Sequence, residues 1–117
     1  MEIQCGHFFQ LLSDDTRLRS LILLHREGEL CVCELVHALG VIQPKVSRHL
    51  AALRDANVVS DRRSGQWIFY RIHADLPPWA RRVIDATVNE AAARAPYAND
   101  LATLSAMQNR PDAARCA

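Results

Sequence analysis

Residues 30–56 constrain the fold more than any other stretch of this chain. Leu35 and Leu39 stand four apart and are followed by Gly40; Gln43-Pro44 then opens a second run to about Ala56 that places Val46, Leu50 and Leu53 on one face. Spacings of three and four put side chains on one side of a helix. Glycine suits a helix terminus, and proline is tolerated in a first turn, where its missing N–H would have no intrahelical partner. Two short helices joined by a three- or four-residue turn containing Gly40 make a helix-turn-helix.

The flanks extend this pattern. Residues 3–12 carry Ile3, Phe8, Leu11 and Leu12 at loose helical spacing, and Ser13 or Asp14 caps a second helix from Asp15 to about Arg26, with Leu18, Leu21, Ile22 and Leu24 turned inward and Gly28 at its end. After Asn57 the texture changes to two β-rich runs, 58–63 and 66–72, split by Ser64-Gly65, which predict a hairpin. Pro77-Pro78 introduces a last helix from Trp79 to about Arg94, with Ala80, Val83, Ile84, Thr87, Val88 and Ala91 on one face. The fold class is therefore mainly α with a β-hairpin wing, a winged helix-turn-helix occupying residues 1–95. Residues 96–117, small and polar, read as a partly flexible C-terminal tail. The terminal helices carry more apolar surface than one small core uses, so pairing across a two-fold axis into a homodimer is expected.

At 117 residues the chain holds one domain with a real core. Its net charge of +1 is uninformative until the charges are located: between Lys45 and Arg71 there are six Lys or Arg against Asp55 and Asp61. A basic stretch centred on a helix-turn-helix points to duplex DNA. The second helix of such a motif enters the major groove with its N-terminal part, which selects Gln43, Lys45, Ser47, Arg48 and His49 for base or backbone contacts. Arg62, Arg63 and Arg71 on the wing are placed for phosphate or minor-groove contacts. Val46 and Leu50 face the core, and at least one of Trp67, Phe69 and Tyr70 is expected to pack inward. No run approaches a membrane span, and the N-terminus has no basic segment leading into an apolar signal core, so a cytoplasmic location with reduced thiols is expected and no membrane partner.

Two of the four cysteines stand one residue apart in Cys31-Val32-Cys33, at the start of the first helix of the motif. Most free cysteines are small buried hydrophobes, but a paired thiol beside a DNA-reading unit suggests a soft-ion sensor, because thiolates select soft, thiophilic centres. A helix N-terminus is expected to lower a cysteine pKa. Residues i and i+2 on an α-helix point about 200° apart, whereas on an extended segment they share a face about 6 to 7 Å apart. One ion bridging both across an intact helical turn would then have to unwind it, which would make helix distortion the switch.

Four segments together resemble the arsenic-operon repressor family, ArsR, and its arsenite-responsive branch in particular: Asp14-Asp15-Thr16-Arg17-Leu18, residues 29–35 around the cysteine pair, Gln43-Pro44-Lys45-Val46-Ser47-Arg48-His49-Leu50, and residues 63–71. The resemblance covers about residues 5–90. It implies a dimeric winged-helix repressor, not an enzyme, that holds operator DNA, an imperfect palindrome, and leaves it when As(III) or Sb(III) binds its thiols, with no organic cofactor. Two positions depart from the branch. Val36 stands where similar proteins often carry a third cysteine, and Ile42 stands where relatives tend to show the capping residue Ser.

For a third ligand the open choices are Cys5, Cys116, a small cellular thiol or hydroxide. A zinc site is disfavoured: the last helix offers Asp85, Asn89 and Glu90 without histidine, His37 reads as a solvated surface residue, and His7, His25 and His73 form no pattern. Alternatives to metalloid sensing are a repressor of the same fold switched by thiol oxidation or by another thiophilic metal, and, in a different class, a thiol-dependent arsenate-reducing enzyme.

Overall fold

The computed structural model of the chain describes residues 2–111. Its elements run α1 (Cys5–Leu12), α2 (Asp15–Glu27), β1 (Glu29–Cys31), α3 (Val32–Leu39), α4 (Gln43–Asp55), β2 (Val59–Ser64), β3 (Trp67–Ile72), α5 (Pro78–Ala91) and α6 (Tyr97–Ala106). α2 starts where its cap is: the Asp14 carboxylate accepts the Arg17 backbone N–H at 3.0 Å, filling one of the donors that a helix leaves open in its first turn. α3 stops at Gly40, whose φ of +65° closes the helix in the left-handed region that glycine enters without a Cβ clash.

α2 is the axis of the core. Leu21, Ile22, Leu23 and Leu24 are consecutive and all at most 1% exposed, so neighbours cover α2 on more than one side. Val46, Leu50 and Leu53 of α4 pack into the same cluster with Leu35 and Leu39 of α3, and each fully buried aliphatic side chain contributes roughly 1.5–3 kcal/mol through removal from water. Phe8 of α1 meets Trp79 of α5 edge to face, with centroids 5.2 Å apart.

The hairpin is confirmed, with Ser64 opposite Trp67 and Gly65-Gln66 as a two-residue loop. β1 was not expected. It pairs antiparallel with β3, Cys31 opposite Phe69, and makes a three-stranded sheet of order β1-β3-β2. Three residues are too short for an alternation pattern to be read, and pairing with a strand some forty positions away supplies the order that local preference does not.

The second difference is at the C-terminal end, where residues 97–106 of the stretch read as a partly flexible tail form a helix. α6 packs on α2 and α3 through Leu104, 1% exposed, and Asp100, 3% exposed. Asp100 accepts two hydrogen bonds from Arg19 at 2.6 and 2.8 Å, and the same guanidinium donates to the Leu39 carbonyl at 3.1 Å. The carboxylate of α6 is thus buried with a bidentate partner, the condition under which burying a charge is tolerated. α5, expected as the last helix, is followed by α6 among the described residues. Its link to α2 includes His25, whose Nε2 lies 2.8 Å from Asp85 Oδ1.

Candidate sensor cleft and DNA interface

Cys31 ends β1 and is the cap residue of α3, with φ −75° and ψ 152°; Cys33 is the second residue of the helix. The sheet holds Cys31 extended and the helix begins one position later, so the two side chains do not diverge as they would on a continuous helix. The Cys33 thiol donates to the Cys31 sulfur at 3.2 Å. The expectation that the two side chains diverge across a helical turn is corrected: Cys31 is outside the helix and the sulfurs face one another.

A second correction concerns protonation. Burial, followed by the hydrogen bond to Cys31, pushes the Cys33 thiol up to about 12. The helix N-terminus acts in the opposite direction through the Glu34 backbone N–H, but burial outweighs it. Cys33 is therefore a protonated thiol at neutral pH.

Glu34 is the residue the sequence reading missed. It is 2% exposed, and its Oε1 accepts the Cys31 backbone N–H at 2.8 Å, the return half of a capping box. Its Oε2 accepts from Arg110 Nε at 2.7 Å, and Arg110 also reaches Glu27 at 3.2 Å. The signal was a glutamate three residues after a cap position, obscured because the cap is cysteine and not serine or threonine. Cys5, by contrast, is exposed on α1, and among the described residues no group of three or more His, Cys, Asp or Glu is placed to hold a metal. Cys5 is not brought to the pair within one chain, and Cys116 lies outside the described residues. Val36 packs against the core, and His37 is exposed.

The thiol pair opens into a cleft of about 390 Å³. Cys31 and Cys33 form one wall, Gln43 and Ser47 of α4 a second, and Trp67 and Tyr70 of β3 a third. The paired thiols and two of the expected DNA-reading residues thus share one cavity.

On the outer face of α4, Gln43, Lys45 and Arg48 are exposed, while Val46 and Leu50 are fully buried. Ser47 is half-buried at the cleft. His49 is turned inward: its Nδ1 lies 3.0 Å from Arg17 Nη1 and 3.6 Å from Asp14, with a side chain 12% exposed. Burial holds its pKa below the usual histidine value, so the neutral ring accepts from Arg17 and fastens α4 to the start of α2. It is a packing residue, not part of the exposed face.

On the wing, Arg63 and Arg71 are exposed. Arg62 is committed elsewhere: its guanidinium makes two hydrogen bonds to Glu29, at 2.8 and 2.9 Å, and lies 4.7 Å from the centroid of the Phe69 ring. The sequence reading counted it among free cations because Glu29 is 33 positions away, and only β1–β3–β2 pairing brings the two together. Phe69 and Tyr70 are both buried, and Trp67 is half-buried.

Comparison with known proteins agrees with this geometry. Residues 14–61 match the model of the bacterial regulatory protein, arsR family. The chain is 54% identical over 81 residues to the arsenic resistance transcriptional regulator ArsR1 of Pseudomonas putida, covering 69% of this chain and 63% of that protein. It is 50% identical over 80 residues to ArsR2 of the same organism, covering 68% and 70%. The match thus spans just under two thirds of the length of the first relative. Among solved structures, the AntR antimony-specific transcriptional repressor superposes with a TM-score of 0.60 at 36% identity, covering 74% of this chain and 78% of that one. These relatives are transcriptional regulators and not enzymes. The chain belongs to the ArsR family of winged-helix transcriptional regulators.

Proposed function

We propose that the chain is an arsenic-resistance repressor that holds operator DNA as a homodimer and releases it when As(III) or Sb(III) binds Cys31 and Cys33. The observation that carries this reading is the 3.2 Å approach of the two sulfurs at a cleft whose opposite wall is the recognition helix. The names of the relatives, arsenic resistance regulators and an antimony-specific repressor, support the choice of ion. The chemistry of the donors supports it too: Cys31 and Cys33 would hold a soft, thiophilic centre together through their two sulfurs.

Binding is a ligand exchange that suits protonated thiols. Arsenous acid gives up two hydroxyls, two As–S bonds replace two As–O bonds, and each thiol proton leaves with a hydroxide as water. A neutral Cys33 therefore presents no net proton barrier to this exchange. The third position keeps hydroxide or takes an outside thiol; Cys116 remains a further choice.

Coupling to DNA runs through the cleft. Cys31 and Cys33 would hold the centre in the cleft that Gln43 and Ser47 of α4 also line, and Cys31 is tied to the wing through its pairing with Phe69. A hundredfold loss of operator affinity needs only about 2.7 kcal/mol of difference between the two states. The homodimer would present two α4 helices to an imperfect palindrome, with half-exposed Phe9 on α1 offering apolar surface at the pairing face. Cytoplasmic action fits reduced thiols and DNA, and among the described residues no helix is long and apolar enough to cross a membrane.

The same sulfur contact supports a second reading, release by oxidation of the pair to a strained disulfide. Fluorescence anisotropy on promoter DNA, titrated with arsenite under reducing conditions, separates the two. Release of the native complex with retention by Cys31→Ser and Cys33→Ser supports the metalloid sensor. Release only on oxidation supports the alternative, and release of all three proteins alike overturns both.

A further inference from the structure

We propose that Arg110 is a positioning residue of the sensor, and that the segment from α6 to Arg110 acts as a strap setting how readily the thiol pair takes its ligand. The proposal rests on the thiol-sensor reading but is tested separately from it.

The chain of contacts is short and buried. Glu34 presents one carboxylate oxygen to the Cys31 backbone N–H and the other to Arg110, with its side chain 3% exposed. A carboxylate this deeply buried is tolerated only while it is paired and hydrogen-bonded. Arg110 supplies the pairing charge from 76 positions away. Without it, Glu34 is driven toward water and loses its hold on Cys31, the residue whose extended conformation brings the sulfurs together. Arg110 is itself delivered by an anchored element: Asp100 and Leu104 bury α6 against the core, Asp100 through its bidentate pair with Arg19. Glu27 at the end of α2 adds a half-exposed second contact to Arg110. None of these residues lies on α4 or on the hairpin, so the strap bears on ligand capture and not on operator affinity in the absence of ligand.

The test compares Arg110→Ala, Arg110→Lys, Glu34→Gln, the Arg110→Ala/Glu34→Gln double variant and Glu27→Gln with the native chain. Operator affinity without arsenite, the arsenite concentration for half-release, and peptide-resolved alkylation of Cys31 and Cys33 in the DNA-free protein are measured. Arg110→Ala should leave operator affinity within about twofold, raise the half-release concentration about fivefold or more and speed alkylation several-fold, the scale of an ordinary coupling energy. Arg110→Lys should fall in between, and Glu27→Gln should stay near native. In the double variant the effects should not multiply, because both changes break the same contact.

Unchanged alkylation in Arg110→Ala, multiplicative effects in the double variant, or half-release at a lower arsenite concentration would each overturn the proposal. If native protein ignores arsenite while Arg110→Ala still changes alkylation, the sensor reading fails and the positioning role stands.

Discussion

The two helices of the helix-turn-helix begin in opposite ways. α3 starts with its cap locked: Cys31 is held by the sheet on one side and by Glu34 on the other, and Arg110 fixes Glu34 in turn. α4 starts with Ile42, 71% exposed and without any side-chain cap bond, followed by Pro44 in the first turn. The start of α3 is held by backbone pairing and side-chain partners, and the start of α4 has no side-chain cap. On the proposed reading, a thiol pair already held together would capture its ligand without first ordering itself, since ordering costs free energy at the moment of binding. In the first turn of α4 Pro44 has no N–H and the Lys45 N–H is spent on the Ile42 carbonyl at 3.1 Å, which leaves the Gln43 N–H for an outside acceptor such as a phosphate.

Four measurements break or sharpen this contrast. The largest effect is expected at the start of α3. Glu34→Ala removes the return cap and one partner of a buried ion pair, and should lower stability to urea by about 3 kcal/mol; a loss under about 1 kcal/mol would mean the first turn of α3 is not locked.

On α4 and the wing, exposed Arg48 and paired Arg62 should differ. Arg48→Ala should weaken operator binding about tenfold and flatten its salt dependence by about one ion. Arg62→Ala should leave the salt slope nearly unchanged, because that guanidinium already answers Glu29. Equal slopes for the two variants would erase the distinction between helix and wing.

Ile42→Ser should stabilise the chain by about 1 kcal/mol by adding the cap α4 lacks. If the melting curve does not move, the start of α4 is already satisfied by contacts other than a cap.

The smallest effect concerns the joint between α2 and α4. Burial depresses the pKa of His49, so the unfolded chain takes up a proton near 6.5 while the folded chain does not. Stability is then fully present above that value and lost as pH falls toward the folded pKa. Denaturation followed from about pH 7.5 down to about pH 5.5 should show this decline, and His49→Gln should make it shallower. An identical slope in the variant would remove His49 from the joint.

Legibility in the sequence followed the range of the interactions involved. The apolar faces of α2, α4 and α5, a cap at Ser13 or Asp14 that the structure gives to Asp14, the Gly40 stop and the hairpin are local patterns that the structure reproduces, with the turn one position later than read, at Gly65-Gln66. β1 and α6 were missed because each owes its stability to distant partners. β1 is three residues held by β3, and α6 carries a thin apolar stripe completed by Arg19, 81 positions from Asp100. Of the expected DNA-reading residues, Gln43, Lys45, Arg48 and Arg63 are on exposed faces. Ser47 is drawn into the cleft, and His49 and Arg62 are occupied by partners that no local pattern could indicate.

Periodicity and turn residues determined on their own the helices α1 to α5 and the presence of a hairpin wing, since each is an interaction among residues a few positions apart. Tertiary structure decided how the sulfurs are presented. Pairing with Phe69 keeps Cys31 out of the helix, burial keeps Cys33 protonated, and Arg110 reaches back to hold Glu34. These are long-range packing and desolvation effects, and they exist only once the chain has folded.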